Sequence, residues 1–142
     1  HYYKFLRHSI AKMTKIDLRL LDANLNRLRE GIRVIEDIYR YIFNDKNTAS
    51  QLKNLRHNSR IEIYNELLES RDIQNDVLKK STISEQNRTD VKSILIANFK
   101  RAQESSRVLE EFTKLIDIKI SENFKSIRYD LYHLEKSILT CK

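Results

Sequence analysis

Residues 18–43 read LRLLDANLNRLREGIRVIEDIYRYIF, and their apolar members fall at Leu18, Leu21, Leu25, Leu28, Ile32, Ile35, Tyr39 and Ile42, in steps of three and four throughout. That spacing predicts one amphipathic helix over about 17–43, roughly 40 Å long at about 1.5 Å per residue. Thr14 followed by Asp17 supplies a capping signal at its start, and Asn44-Asp45 ends it where helical propensity drops. A rod of this length has to bury its stripe against something equally long. The fold therefore depends on what else in the chain carries helical spacing.

Working outward, Leu52, Leu55, Ser59, Ile63 and Leu67 follow a Thr48/Gln51 capping box and predict a second helix to about Glu69. A Thr82/Glu85 box precedes Val91, Leu95, Phe99, Ala102, Leu109, Phe112 and Ile116, predicting a third helix to about Asp117; Phe124, Ile127, Leu131, Leu134 and Ile138 predict a fourth. Tyr2, Leu6, Ile10 and Met13 share a stripe, so residues 1–13 read as an N-terminal extension or short helix. The 142 residues include no proline and one glycine, Gly31, which leaves little for the tight turns of sheets or for glycine-rich nucleotide loops. No apolar run approaches the ~18 residues needed to cross a bilayer, so a membrane partner is not expected. The single cysteine, Cys141, excludes an internal disulfide and fits a reducing, cytoplasmic setting. A net charge of +7 favours anionic partners.

An internal repeat organises these helices. Residues 23–42 align with residues 97–116 at a constant offset of 74, with eight identities in twenty positions, and both copies read A-N-x-x-R-x-x-E-x-x-R-V-x-E-[DE]. The following segments echo one another, Leu52-Lys53-Asn54-Leu55-Arg56 against Phe124-Lys125-Ser126-Ile127-Arg128. The expected fold is all-α, an antiparallel bundle of long helices built from a duplicated helical hairpin. Residues 14–142 form a single helical domain in this reading, with hairpin one over about 17–69, a lid-like linker over 70–82 and hairpin two over about 83–140.

The repeated polar residues admit two readings. Asn24 and Gly31 fall inside the apolar stripe of the first helix and Arg27 at its edge. In one reading Asn24 and Asn98 make buried interhelical hydrogen bonds, while Arg27 and Arg101 pair with Glu30 and Glu104 or with partner helices. In the other, two related Asn, Arg and Glu sets converge on a polar cavity that holds a charged ligand. The linker 70–82 is likewise either a solvated connection or a lid, whose Arg71 with Lys79 or Lys80 holds phosphate while Asp72 or Asp76 binds Mg²⁺ or accepts a proton. His57 is either a surface residue or a phosphate or proton contact. No HExxH, Cys-His zinc pattern, GxSxG, Walker loop or dinucleotide fingerprint occurs.

The run from Leu21-Asp22-Ala23-Asn24 through Arg27, Glu30-Gly31 and Arg33-Val34-Ile35-Glu36-Asp37 resembles the opening motif of a known family. That family is the all-helical domain often fused to thiamine-phosphate synthase and associated with hydroxymethylpyrimidine phosphate kinase activity. The resemblance continues through Gln51 to His57, Arg71-Asp72 with Asp76-Val77, Ala97-Asn98, Arg107 to Phe112 with Lys114, and Arg128-Tyr129 with Tyr132, covering roughly 17–135. Two departures are Leu78, where a glycine is expected, and Ser105-Ser106, where a more apolar pair is expected.

The resemblance implies transfer of the ATP γ-phosphoryl to the phosphate of 4-amino-2-methyl-5-phosphomethylpyrimidine, with ATP and Mg²⁺ as cofactors. It makes Arg27, Arg101, Asp72 and Asp76 the catalytic candidates. Asn24, Asn98, Arg33, Arg56, His57, Arg71, Arg107 and Arg128 become candidates for substrate, and Glu36, Asp37, Glu110 and Glu111 for metal. The partners implied are the phosphorylated pyrimidine and ATP; a thiamine-phosphate synthase domain and a homodimer stay open. The alternative is a non-catalytic helical module that binds a pyrimidine phosphate or regulates the synthase. Nucleic acid is disfavoured, because no stripe interleaves aromatic and basic residues.

Overall fold

The computed structural model describes residues 13–140 together with Lys4, so the short helix expected over 1–13 falls outside the described residues apart from Lys4 and Met13. The elements are α1 (Lys15–Asp37), continuing into a π-helical turn (Ile38–Ile42), α2 (Lys46–Asn58), α3 (Tyr64–Ser70), one short turn α4 (Ile83–Gln86), α5 (Val91–Thr113) and α6 (Ile118–Thr140). The described residues include no strand, and the class is all-α. No helix among them is long and apolar enough to cross a membrane.

The first helix starts where its sequence signal stands. Thr14 Oγ1 accepts from the Asp17 amide at 3.1 Å and Asp17 Oδ2 accepts from the Thr14 amide at 3.2 Å, a reciprocal box. Near its far end the π turn takes up more residues per turn than an α-helix and rotates the stripe. Ile38 and Tyr39 are consequently buried, while Ile42, expected on the stripe, is 56% exposed. Asn44 then stops the helix in the left-handed region at φ 51°, which asparagine tolerates better than most residues.

Two expected helices begin or end elsewhere. The second starts earlier, capped by Asp45, whose carboxylate accepts from the Thr48 amide at 3.1 Å and hydroxyl at 2.6 Å, and it breaks after Asn58. Ser59 returns its hydroxyl to Leu55 O at 2.6 Å, and Ile61 and Ile63 are both buried. On a helix these two residues would point to nearly opposite sides, so burying both breaks the helix, and the Ile63 amide turns back to donate to Ile61 O at 2.8 Å. The Thr82/Glu85 box is formed, yet it heads only the four-residue α4. The long helix α5 starts at its own box, Asp90 with Ser93, and the segment between α3 and α5 is correspondingly longer than the linker 70–82.

α1 and α5 form the centre, with α2 and α3 against α1 and α6 against α5. The central pair is antiparallel: a Cβ added at Gly31 would stand 3.2 Å from Asn98 O and 3.4 Å from Ala102 Cβ, while Asn24 and Ser105 border one cavity. Gly31 lets the helices approach where any side chain would push on backbone. Around this contact Leu21, Leu28, Ile32, Ile35, Phe99, Leu109, Phe124 and Leu131 are buried. Ser105 and Ser106 also sit in the core and satisfy their hydroxyls on their own helix, Ser105 on Arg101 O at 2.7 Å and Ser106 on Gln103 O at 2.8 Å.

The repeated motif makes matched contacts in its two copies. Arg56 of α2 grips Glu36 of α1 through Nε at 2.7 Å and Nη2 at 3.2 Å; Arg128 of α6 donates to Glu110 of α5 at 2.9 Å. Both carboxylates are buried, so each pair clamps a long central helix to the helix that follows it. Arg128 also lies under Tyr129 and Tyr132, with ring centroids at 5.0 and 5.8 Å. One position beyond each glutamate, Asp37 meets Arg33 at 3.3 Å and Glu111 meets Arg107 at 3.2 Å, both at helical i,i+4 spacing.

Breaking one clamp leaves a desolvated charge behind. Glu36→Gln is expected to lower unfolding free energy by about 3–5 kcal/mol, with Glu110→Gln in the same direction, measured by urea titration. Pairing Glu36→Gln with Arg56→Met should recover much of the loss, because the stranded cation is gone. Equal stability of Glu36→Gln and the parent chain would contradict the clamp.

Candidate functional site

Beside the Gly31 contact, the segment that follows α3 runs across the faces of α1 and α5 that carry Asn24, Arg27 and Arg101. Asp22 of α1 ties that segment down. Arg71 donates to it through Nε at 2.7 Å and Nη2 at 2.8 Å, and Asp22 is buried. Arg19 adds a bond from Nη2 to Asp72 O at 3.1 Å. Within the segment Asp72 folds the chain into a turn by accepting from the Gln74 and Asn75 amides, each at 3.1 Å, and from Asn75 Nδ2 at 2.7 Å. Asp76 does the same for the Leu78 amide at 3.0 Å. Leu78 itself is 84% exposed, so the absent glycine is replaced at a position where nothing crowds the side chain.

Two adjoining cavities of about 550 and 640 Å³ open between these parts and share Asn24, Arg27, Asp76 and Lys79. The first also meets Arg71 and Asp72, the second Arg101, Glu104 and Ser105. One continuous cleft therefore unites Asn24, Arg27, Arg71, Asp72, Asp76 and Arg101 of the residues selected from sequence. Arg27 and Arg101 are exposed and take part in no ion pair, with Glu30 and Glu104 or any other described residue; Lys79 is equally unpaired. Asn24 donates Nδ2 to Leu20 O at 2.9 Å, and Asn98 donates to Ile94 O at 2.8 Å, so neither amide bridges helices.

The remaining candidates lie elsewhere. Asn98 is under Gly31. Arg56, Arg128, Glu36 and Glu110 are committed to the two clamps, and Arg33, Asp37, Arg107 and Glu111 to surface pairs, Glu111 also with Lys114 at 2.9 Å. His57 is exposed on α2, its pKa held down by local desolvation and by the cations Arg56, Lys53 and Arg60. Among the described residues no three acids, histidines or cysteines stand together as a metal site. Within the cleft, Asp76 keeps Oδ2 free of hydrogen bonds and Glu104 forms no ion pair. Sequence reading missed Asp22 and Arg19. Asp22 lies at the edge of the apolar stripe without a Lys or Arg three or four residues after it, which marks an acid whose partner is distant in sequence.

Fold and cleft together define an all-helical domain whose unpaired cations converge on one opening between two long helices and the segment linking them. The chain belongs to the ThiD2 family, whose model matches residues 19–137. It is 40% identical over 125 residues to a thiamine-phosphate synthase of Synechocystis sp., covering 87% of this chain and 36% of that protein. A thiamine-phosphate synthase of Nostoc punctiforme is 38% identical over 129 residues, covering 90% and 37%. One from Rhodopirellula baltica is 39% identical over 120 residues, covering 81% and 32%. The chain thus spans about a third of the length of these curated relatives, as a helical domain of a kind found within proteins of that name. No solved structure matches it.

The hydrogen bonds from Asn75 hold the Asp72 carboxyl below the ordinary carboxylate range, which makes it a poor proton acceptor and a firm turn former. With a depressed folded pKa, the order Asp72 lends the linker is complete above the pKa of a free aspartate and fades as pH falls through the depressed value. Amide-exchange protection at Gln74 and Asn75, corrected for intrinsic rates, should follow that curve. In Asp72→Ala it should be low at every pH. Protection unaffected by this substitution would contradict the role.

Proposed function

We propose that this domain acts in thiamine biosynthesis as a phosphotransferase, passing the ATP γ-phosphoryl to the phosphate of 4-amino-2-methyl-5-phosphomethylpyrimidine. The observation that carries the reading is the set of unpaired cations in the cleft. Arg27 and Arg101 approach from the two central helices and Lys79 from the linker, none neutralised by a carboxylate. Family membership and the thiamine-phosphate synthase relatives support the pathway, since a pyrimidine diphosphate is the form such a synthase condenses.

Phosphoryl transfer needs positioning and charge neutralisation more than covalent help from the protein. The two arginine forks and Lys79 supply fixed positive charge where phosphates of donor and acceptor meet. The acceptor is itself an ionised phosphate, so no strong base is required and the low pKa of Asp72 is no obstacle. Asn24 spends Nδ2 on Leu20 O and retains Oδ1 as an acceptor for the exocyclic amine of the pyrimidine. Mg²⁺ takes one or two protein carboxylates and completes its shell with phosphate and water; Asp76 and Glu104 fit that demand. Bound there, it would neutralise developing charge on the transferred group. We also read the two hairpins as copies of one ancestral unit, on the matched clamps and the shared A-N-x-x-R segment.

The test is a magnesium-dependent transfer assay with purified chain, ATP and either the pyrimidine monophosphate or its free alcohol. The monophosphate should be turned over and the alcohol left, because only the phosphate brings the charge that the unpaired cations of the cleft can hold. Arg27→Lys and Arg101→Lys should each reduce transfer by roughly tenfold or more, about 1.4 kcal/mol, with melting temperature unchanged since both side chains are exposed and unpaired. No transfer to either compound, or equal transfer to both, would overturn the proposal.

A further inference from the structure

The cleft does not account for every cation on α1. Arg29 is largely buried, its Nε is shut off from solvent without a hydrogen-bond partner, and no carboxylate among the described residues pairs with it. Its neighbours in charge have the same sign: burial first, then Arg60 and Arg56, hold its pKa below the usual arginine range. Arg56 is already committed to Glu36. An unmet cation between two others is costly, and nothing in the helix requires one, since leucine or methionine has equal helical propensity.

Arg29 faces a cavity of about 290 Å³ that also meets Asn26, Arg60 and Tyr64 and lies across the Asp22–Arg71 pair from the cleft. The acid in its wall, Asp22, is neutralised by Arg71; Glu62 at the rim is exposed. We infer that this cavity is a second binding site, for a phosphate-type oxyanion held by the guanidinium groups of Arg29 and Arg60. A guanidinium meets such an anion through two parallel N–H···O bonds; from Arg29 these would come from its two Nη groups, and they give its charge the counter-ion it lacks. Arg29 and Arg60 line this cavity and not the cleft, so the site stands whether or not the cleft transfers phosphoryl groups.

Side-chain NMR of the intact chain tests it. Titration with inorganic phosphate should move the Arg29 and Arg60 Nε–Hε signals along a saturating curve. Arg29→Met should weaken the Arg60 response by roughly tenfold or more while melting no lower than the parent without phosphate, because it removes an unmet charge. Arg27→Met, in the cleft, should leave the Arg29 curve in place. A nucleoside monophosphate run alongside separates sources: movement of Tyr64 ring signals with the nucleotide alone assigns the site to a nucleotide phosphate, and equal curves assign it to the free anion. An Arg29 signal that fails to saturate, or an Arg60 curve identical in Arg29→Met, overturns the site.

Discussion

The close approach of α1 and α5 at Gly31 is the constraint on which the other parts depend. A glycine facing a backbone carbonyl and the Cβ of Ala102 allows two 23-residue helices to lie side by side as a common spine. Each spine helix then carries its own follower, held by a buried glutamate and the follower's arginine. On the spine's face next to that contact, Asn24, Arg27, Arg101 and Ser105 border a cleft, and the chain between hairpins crosses it. The site is thus a product of helix geometry: the contact that joins the spine also sets Arg27 of one helix and Arg101 of the other beside the same cleft.

Much of this was legible because helical period and capping chemistry are local. The stripe of α1, its Thr14 cap and its Asn44 stop could be read from adjacent residues. The errors have physical causes as well. The break at Ser59 follows from burying Ile61 and Ile63 together, a tertiary demand that a three-and-four pattern through Leu55, Ser59 and Ile63 conceals. The Thr82/Glu85 box forms as read, but no apolar face follows closely enough to extend α4, and Asp90 with Ser93 takes over.

The site was legible only in part. The repeated motif divides into two segments with different chemistry. Asn24, Arg27 and Arg101 look into the cleft, whereas Arg33, Glu36, Asp37 and their counterparts Arg107, Glu110 and Glu111 hold helices together. Sequence presents both segments as the same sort of polar residue beside an apolar stripe. What separates them is whether an opposite charge arrives from elsewhere. Arg56 reaches Glu36 over 20 residues and Arg71 reaches Asp22 over 49. Such meetings are set by the relative placement of whole helices, which no window of sequence contains.

The linker has a further consequence, in symmetry. A pair of identical hairpins associating as separate chains would present two equivalent faces, and any ligand of one would be a ligand of both. Joining them in one polypeptide requires a single crossing segment, and Asp22 with Arg71 fixes it over one face alone. The covalent connection thereby gives the cleft two unlike walls, so an asymmetric molecule meets a defined front and back.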